Sequence, residues 1–73
     1  MAHRNPLNYI GPRIKKIRLE AGLDHRGFGE AIGMSSMISF RLEQGNAYPS
    51  GKALIQIYRV FGYTPNYILG LED

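Results

Sequence analysis

Apolar residues recur every three or four positions along most of the chain, which is the spacing of one face of a helix. The first such series comprises Ile10, Ile14, Ile17 and Ala21. Proline is favoured at the first helical position and glycine just past the end, so Pro12 and Gly22 predict a helix over residues 12–21. The preceding stretch is polar, so we expect a flexible N-terminal arm over residues 1–9 and a single domain over residues 10–73.

Two short helices separated by a tight turn are predicted over residues 23–45. The apolar pairs that we expect to face the core lie four residues apart, Phe28 with Ile32 and Ile38 with Leu42. Asp24 and Ser35 are residue types that cap helix N-termini, and Gly33 between the two segments readily ends a helix.

The rest of the chain predicts two more helices. Ser50 and Thr64 are N-cap residue types, and Thr64 is followed directly by Pro65. The apolar residues at helical spacing after these caps are Leu54, Ile57, Tyr58, Phe61, Tyr67, Ile68 and Leu71. No stretch alternates apolar and polar residues for long enough to predict a strand. The sequence therefore predicts an all-α fold, a compact bundle of about five short helices.

Charge and composition exclude only a few classes of function. The net charge is +3, and six of the nine Lys and Arg residues lie in the first 26 positions, so we expect an electropositive side compatible with nucleic acid. The absence of cysteine excludes a disulfide framework and thiol catalysis. No stretch approaches about 18 apolar residues, so we expect a cytoplasmic protein without a membrane partner. His3 and His25 lie far apart without acidic residues at ligand spacing, so we expect no metal, no cofactor and no enzymatic activity.

Two short motifs resemble a known family. Ile-Gly-Met-Ser at residues 32–35 and Arg-Leu-Glu-Gln-Gly at residues 41–45, followed by Pro49 and Ser50, are similar to the helix-turn-helix family of phage lambda repressor and Cro. The resemblance runs over about residues 14–71. It implies a lambda-repressor-like DNA-binding domain that acts as a sequence-specific transcriptional regulator, of phage or bacterial repressor type. In such proteins the second helix of the motif reads the major groove, and a homodimer binds a palindromic operator in double-stranded DNA.

The resemblance also implies a set of DNA contacts around a reading helix over residues 35–44. The predicted contact residues are His25, Arg26, Ser35, Ser36, Met37, Phe40, Arg41, Gln44, Asn46, Tyr48 and Lys52. Ser36 and Gln44 can hydrogen-bond to bases. Met37 and Phe40 are open to three interpretations: apolar contact with bases such as thymine, a protein contact patch, or a wider core.

Roles are also expected for residues outside this set. By the same resemblance, Arg18 and Glu43 occupy the positions of a structural ion pair between the first and third helices. Arg4 in the arm is either a minor-groove contact or part of a disordered end. The C-terminal Tyr67 and Leu71, or the exposed residues of the reading helix, are candidate dimer contacts.

Several positions depart from the family pattern. Gly27 and Gly29 weaken the helix that carries them, which we expect to be the softest element. Ser39 replaces a buried β-branched residue, so we expect Ile38 to take over its packing. Asn46 and Ala47 stand where the family often has basic residues. Together with the apolar side chains on the reading helix, this leaves an alternative function, a protein-interaction module such as an antirepressor or an antitoxin-like partner.

Overall fold

The computed structural model describes residues 5–73. The chain forms five helices, α1 (Leu7–Glu20), α2 (His25–Ile32), α3 (Ser36–Glu43), α4 (Gly51–Phe61) and α5 (Pro65–Ile68). Within the described range there is no strand, so the all-α prediction is confirmed. The same residues contain no helix that is both long enough and apolar enough to cross a lipid bilayer.

Four helices begin at the caps that the sequence predicts. The oxygen of each cap side chain accepts a hydrogen bond from the backbone N–H three residues later, which satisfies one donor that the helix leaves unpaired. The cap residues of α2 to α5 are Asp24, Ser35, Ser50 and Thr64. Gly33 then ends α2 in the left-handed conformation (φ 75°), which glycine adopts without the strain of a Cβ atom.

The predicted start of the first helix is wrong. Helix α1 begins at Leu7, and Pro12 lies inside it rather than at its first position. The start is set by Asn5 and Pro6, because the Asn5 side-chain oxygen accepts the N–H of Leu7 at 3.1 Å and Pro6 already has a helical backbone. Pro12 removes one internal hydrogen bond, on the exposed side of α1. Residues 7–9 therefore belong to the domain, whereas Arg4 and the start of the arm lie outside the described residues.

One apolar core joins all five helices. Its fully buried members are Ile10, Ile14, Ile17, Phe28, Ile32, Leu42, Ala53, Ile57 and Ile68. The ring of Phe28 stacks on Phe61 of α4 with 5.4 Å between centroids. On α3 the expected packing is found only in part: Ile38 is half-buried and packs against the core, but Ser39 itself is the residue that is completely buried beside Leu42.

Two buried glycines allow close approach of backbones. A Cβ atom at Gly29 of α2 would lie 2.6 Å from the carbonyl oxygen of Met34, which is in the turn before α3. A Cβ atom at Gly11 of α1 would lie 2.5 Å from the carbonyl oxygen of Glu43 at the end of α3. Gly29 therefore has a packing reason to be glycine, which helix propensity alone does not reveal.

Candidate nucleic-acid interface

Helix α3 presents five side chains to solvent along one side, which we call the outward face of α3. They are Ser36, Met37, Phe40, Arg41 and the C-cap residue Gln44. At about 100° per residue these positions cover an arc of roughly 140°, opposite Ser39 and Leu42. Met37 is 58% exposed and Phe40 is 48% exposed, which excludes the interpretation that they belong to a wider core.

The opposite side of α3 is held firmly by its neighbours. Leu42 and Ser39 are fully buried, and α3 packs against both α1 and α2. Ser35 fixes its first turn by accepting the N–H of Ile38 at 3.2 Å. The orientation of the outward face is therefore set by the core and not by the exposed side chains.

An ion pair ties the end of α3 to α1, as the resemblance implied. Arg18 donates from Nε to Oε2 of Glu43 at 2.5 Å and from Nη2 to Oε1 at 3.1 Å. Its Nη1 also donates to the carbonyl oxygen of Leu23, at 2.9 Å. The two side chains are only 12% and 5% exposed. The hydrogen bond to Glu43 raises the pKa of Arg18, although desolvation by burial opposes it.

His25 lies against α3 through one of its ring nitrogens. Its Nδ1 is 3.0 Å from Oγ of Ser39 and 3.4 Å from Oε2 of Glu43. Its ring also meets the ring of Phe40 edge-on, with 5.6 Å between centroids. The sequence suggested a phosphate contact for His25, but the structure places Nδ1 against the interior of the domain. The available signal was Ser39, since a polar side chain at a buried position needs a partner.

Ser39, His25 and Glu43 do not have the geometry of a hydrolytic triad. Both oxygens approach the same nitrogen of the imidazole, whereas a catalytic histidine uses one nitrogen for the serine and the other for the acid. Ser39 is also 0% exposed and so cannot meet a substrate. These three residues therefore position α2 against α3.

The cations near α3 differ in how they are partnered. Arg26, in the first turn of α2, forms an exposed pair with Glu30 at 3.4 Å. Arg41 on α3 and Lys52 at the start of α4 are exposed and have no acidic partner among the described residues. Such cations are available to bind phosphate groups.

The loop between α3 and α4 adds two exposed polar groups. Asn46 is exposed, and so is Tyr48. Ala47, which lies between them, is half-buried against the core, and Pro49, which follows Tyr48, is buried. The loop is therefore anchored at alternate residues and leaves both polar side chains exposed.

The cations of α1 face other partners. Arg13 donates from Nη1 to the carbonyl oxygens of Tyr67 and Glu72, and its guanidinium lies 4.3 Å from the centroid of the Tyr67 ring. Lys16 lies 3.3 Å from the hydroxyl of Tyr67, and this hydrogen bond raises the pKa of Lys16. Much of the basic excess at the start of the chain is thus used in contacts within the domain.

The described residues thus form a small helical domain whose clearest candidate site is the outward face of α3. Within residues 5–73, no three His, Asp or Glu side chains lie close enough together to hold a metal ion, and no pocket is present. No protein-family model, curated protein or solved structure matches this chain. The function is therefore inferred from this face and its surroundings.

Proposed function

We propose that this protein is a sequence-specific DNA-binding regulator of the lambda-repressor type, with α2 and α3 as its helix-turn-helix. Helix α3 enters the major groove, and its outward face contacts the edges of the bases. The alternative of a protein-interaction module rests on the same residues and is treated below.

The observation that carries the proposal is an exposed helix face on a rigid support. A helix that reads bases needs side chains that leave the domain and a backbone that does not move when they are bound. The outward face of α3 has both properties, since its opposite side is buried. The Arg18–Glu43 pair fixes its C-terminal end.

Phosphate contacts come from the residues around α3. Arg41, Lys52 and Arg26 supply positive charge, while Asn46 and Tyr48 supply neutral donors from the loop that follows. Contacts of this kind fix the register of a protein on the duplex but carry no sequence information. They also make the affinity fall as the salt concentration rises.

A single reading helix of eight residues makes few base contacts, so we propose that the active species is a homodimer on a palindromic operator. Its half-sites lie one helical turn, about 34 Å, apart. Leu71 is 58% exposed at the C-terminal end and is the better candidate for the dimer contact. Tyr67 is half-buried and already packed against Arg13.

A protein partner is the second candidate, and Met37 and Phe40 are the observation that favours it. Two large apolar side chains exposed one turn apart are common in protein contact sites. In that case Phe40→Ala abolishes capture of the partner, and the wild-type protein shows no affinity for DNA.

The experiment measures binding of the full chain to a pool of random 30-base-pair duplexes by fluorescence anisotropy, at about 50 mM and 200 mM salt. We expect affinity to fall steeply with salt. Arg41→Gln should weaken binding and lower the salt slope by about one. The matched control is Arg59→Gln, an arginine near the end of α4 that is also exposed and has no acidic partner in the described part of the chain. Absence of binding at low salt, or an affinity that does not change with salt concentration, would contradict the proposal.

A further inference from the structure

We propose that Met37 and Phe40 form a contact surface for the 5-methyl group of pyrimidines in the major groove, with His25 as the positioning residue for Phe40. This inference rests on the proposed function, because it names the base feature that the outward face of α3 recognises.

The apolar part of the outward face is small and is bordered by polar groups. Phe40 and Met37 lie one turn apart on α3, at the centre of the exposed arc. Ser36 lies at one edge of the arc and Arg41 at the other, with Gln44 between them toward the C-terminal end. The surface is therefore suited to one or two apolar groups within an otherwise polar contact.

The ring of Phe40 is held in place from beneath. His25 meets it edge-on, with ring planes inclined at 76°. His25 is in turn fixed through Nδ1 by Ser39 and Glu43, and Glu43 is fixed by Arg18. An exposed ring that is already oriented loses little side-chain freedom when a ligand binds. These contacts therefore lower the entropic cost of binding a ligand through Phe40.

Pyrimidine methyl groups are the ligand chemistry that fits this surface. In the major groove the C5-methyl of thymine is the one apolar feature that ordinary bases present. 5-Methylcytosine carries the same methyl at the same ring position. Ser36 and Gln44 can form the hydrogen bonds to neighbouring base edges, while Met37 and Phe40 cover the methyl group.

The charges on α3 favour a DNA duplex over an apolar protein surface. The one carboxylate of this helix, Glu43, is nearly buried and is neutralised by Arg18. The one exposed ionic group on the outward face is Arg41, which has no acidic partner among the described residues. The methyl-contacting residues thus lie beside a free cation, which complements a polyanion.

The test begins by selecting a tight-binding duplex from a random pool with the full chain. Each thymine of that duplex is then replaced in turn by uracil, which removes the methyl and nothing else. We expect affinity to fall about fourfold at each contacted position, the value of one buried methyl group. At that position, a 5-methylcytosine–guanine pair should bind about fourfold more tightly than the unmethylated pair.

Three variants assign the effect to its residues. Met37→Ala and Phe40→Leu should each reduce the thymine-to-uracil affinity ratio toward one. His25→Ala should reduce it as well, because the ring of Phe40 loses its support, and a purely structural role would leave the ratio unchanged. The matched control, Gln44→Ala, should weaken binding to thymine and uracil duplexes equally.

The outcomes separate this inference from the proposed function. Tight, salt-dependent binding with a ratio near one at every position overturns the methyl contact and leaves the DNA-binding proposal intact. A ratio that survives in both Met37→Ala and Phe40→Leu also overturns it. If no duplex is bound at all, both proposals fail, and a protein that is captured through Phe40 becomes the better interpretation.

Discussion

Two regions of the domain combine aromatic side chains with cations, and they do so in opposite ways. At the contact between α1 and α5, Arg13 lies over the rings of both Tyr9 and Tyr67, and Lys16 is within 6 Å of two tyrosine rings. On the outward face of α3, within residues 5–73, the ring of Phe40 meets one other ring, that of His25, and Arg41 has no ring or carboxylate beside it.

The difference teaches how to interpret a basic sequence. Most of the positive charge lies in the first third of the chain, which suggests that the binding surface lies there. Arg13, Lys16 and Arg18 already make contacts within the chain: Arg18 with the carboxylate of Glu43, Arg13 with a backbone carbonyl of Tyr67, and Lys16 with the hydroxyl of the same tyrosine. Fewer cations lie around α3, but Arg41 and Lys52 remain available for a ligand. Unpartnered charge is therefore a better guide to a polyanion site than total charge.

The largest expected effect comes from removing the support beneath α3. Glu43→Gln leaves the guanidinium of Arg18 nearly buried without its counter-charge, so we expect a loss of about 3 kcal/mol in the free energy of unfolding. The matched control is Glu30→Gln, which breaks an exposed pair and should change stability by less than about 0.5 kcal/mol. Thermal unfolding followed by circular dichroism measures both.

In a domain of this size the net stability is only about 3–5 kcal/mol, so a loss of about 3 kcal/mol should leave Glu43→Gln only marginally stable, with a much lower melting temperature than wild type. Equal melting temperatures for the two variants would show that the Arg18–Glu43 pair is not the support that its geometry indicates. In that case the orientation of α3 would depend on the apolar core alone.

Local signals in the sequence predicted much of the fold. The four caps from Asp24 to Thr64 and the apolar series of each helix depend on neighbouring residues, so they can be recognised without tertiary information. The start of α1 was missed although Asn5–Pro6 has the same cap-then-proline order as Thr64–Pro65. Pro12 precedes a clear apolar series and so predicts a helix start there, whereas a helix can contain a proline where the lost hydrogen bond lies at the surface.

The candidate site was predicted only in part, because its remaining features join distant parts of the chain. The exposed face of α3 follows from helical periodicity, and the Arg18–Glu43 pair followed from the resemblance. The bond between His25 and Ser39 spans 14 positions, and the close approach of Gly29 to Met34 depends on how two helices cross. Neither follows from spacing, because each depends on how α2 packs against α3 and the turn before it.

The next prediction separates the two aromatic regions. Tyr67→Ala should lower the free energy of unfolding by about 2 kcal/mol, because the half-buried ring supports Arg13, Lys16 and Tyr63. Phe40→Ala should lower it by less than about 1 kcal/mol, since the ring is half exposed and has one aromatic neighbour. Affinity for DNA should change in the opposite order, with a several-fold loss only in Phe40→Ala. If both variants lost stability and affinity together, the two regions would not be separate in function.

The smallest expected effect concerns the response to alkaline pH of the contact between α1 and Tyr63, which lies just before α5. The hydroxyl of Tyr63 donates to Oε1 of Glu20 at 2.6 Å, and this hydrogen bond raises the pKa of Tyr63. Because folding raises this pKa, the hydrogen bond stabilises the folded state fully at pH values below the pKa of tyrosine in the unfolded chain, about 10. This stabilisation is lost as the pH rises through the pKa of Tyr63 in the folded state. Wild type should therefore be more stable than Tyr63→Phe at pH 7 and 9, and the difference should shrink at pH 11. Urea unfolding at these pH values measures the difference.

Tyr48→Phe, which removes an exposed hydroxyl, is the matched control and should have the same free energy of unfolding as wild type at pH 7 and 9. A difference for Tyr63→Phe as large at pH 11 as at pH 7 would show that the bond to Glu20 does not stabilise this contact.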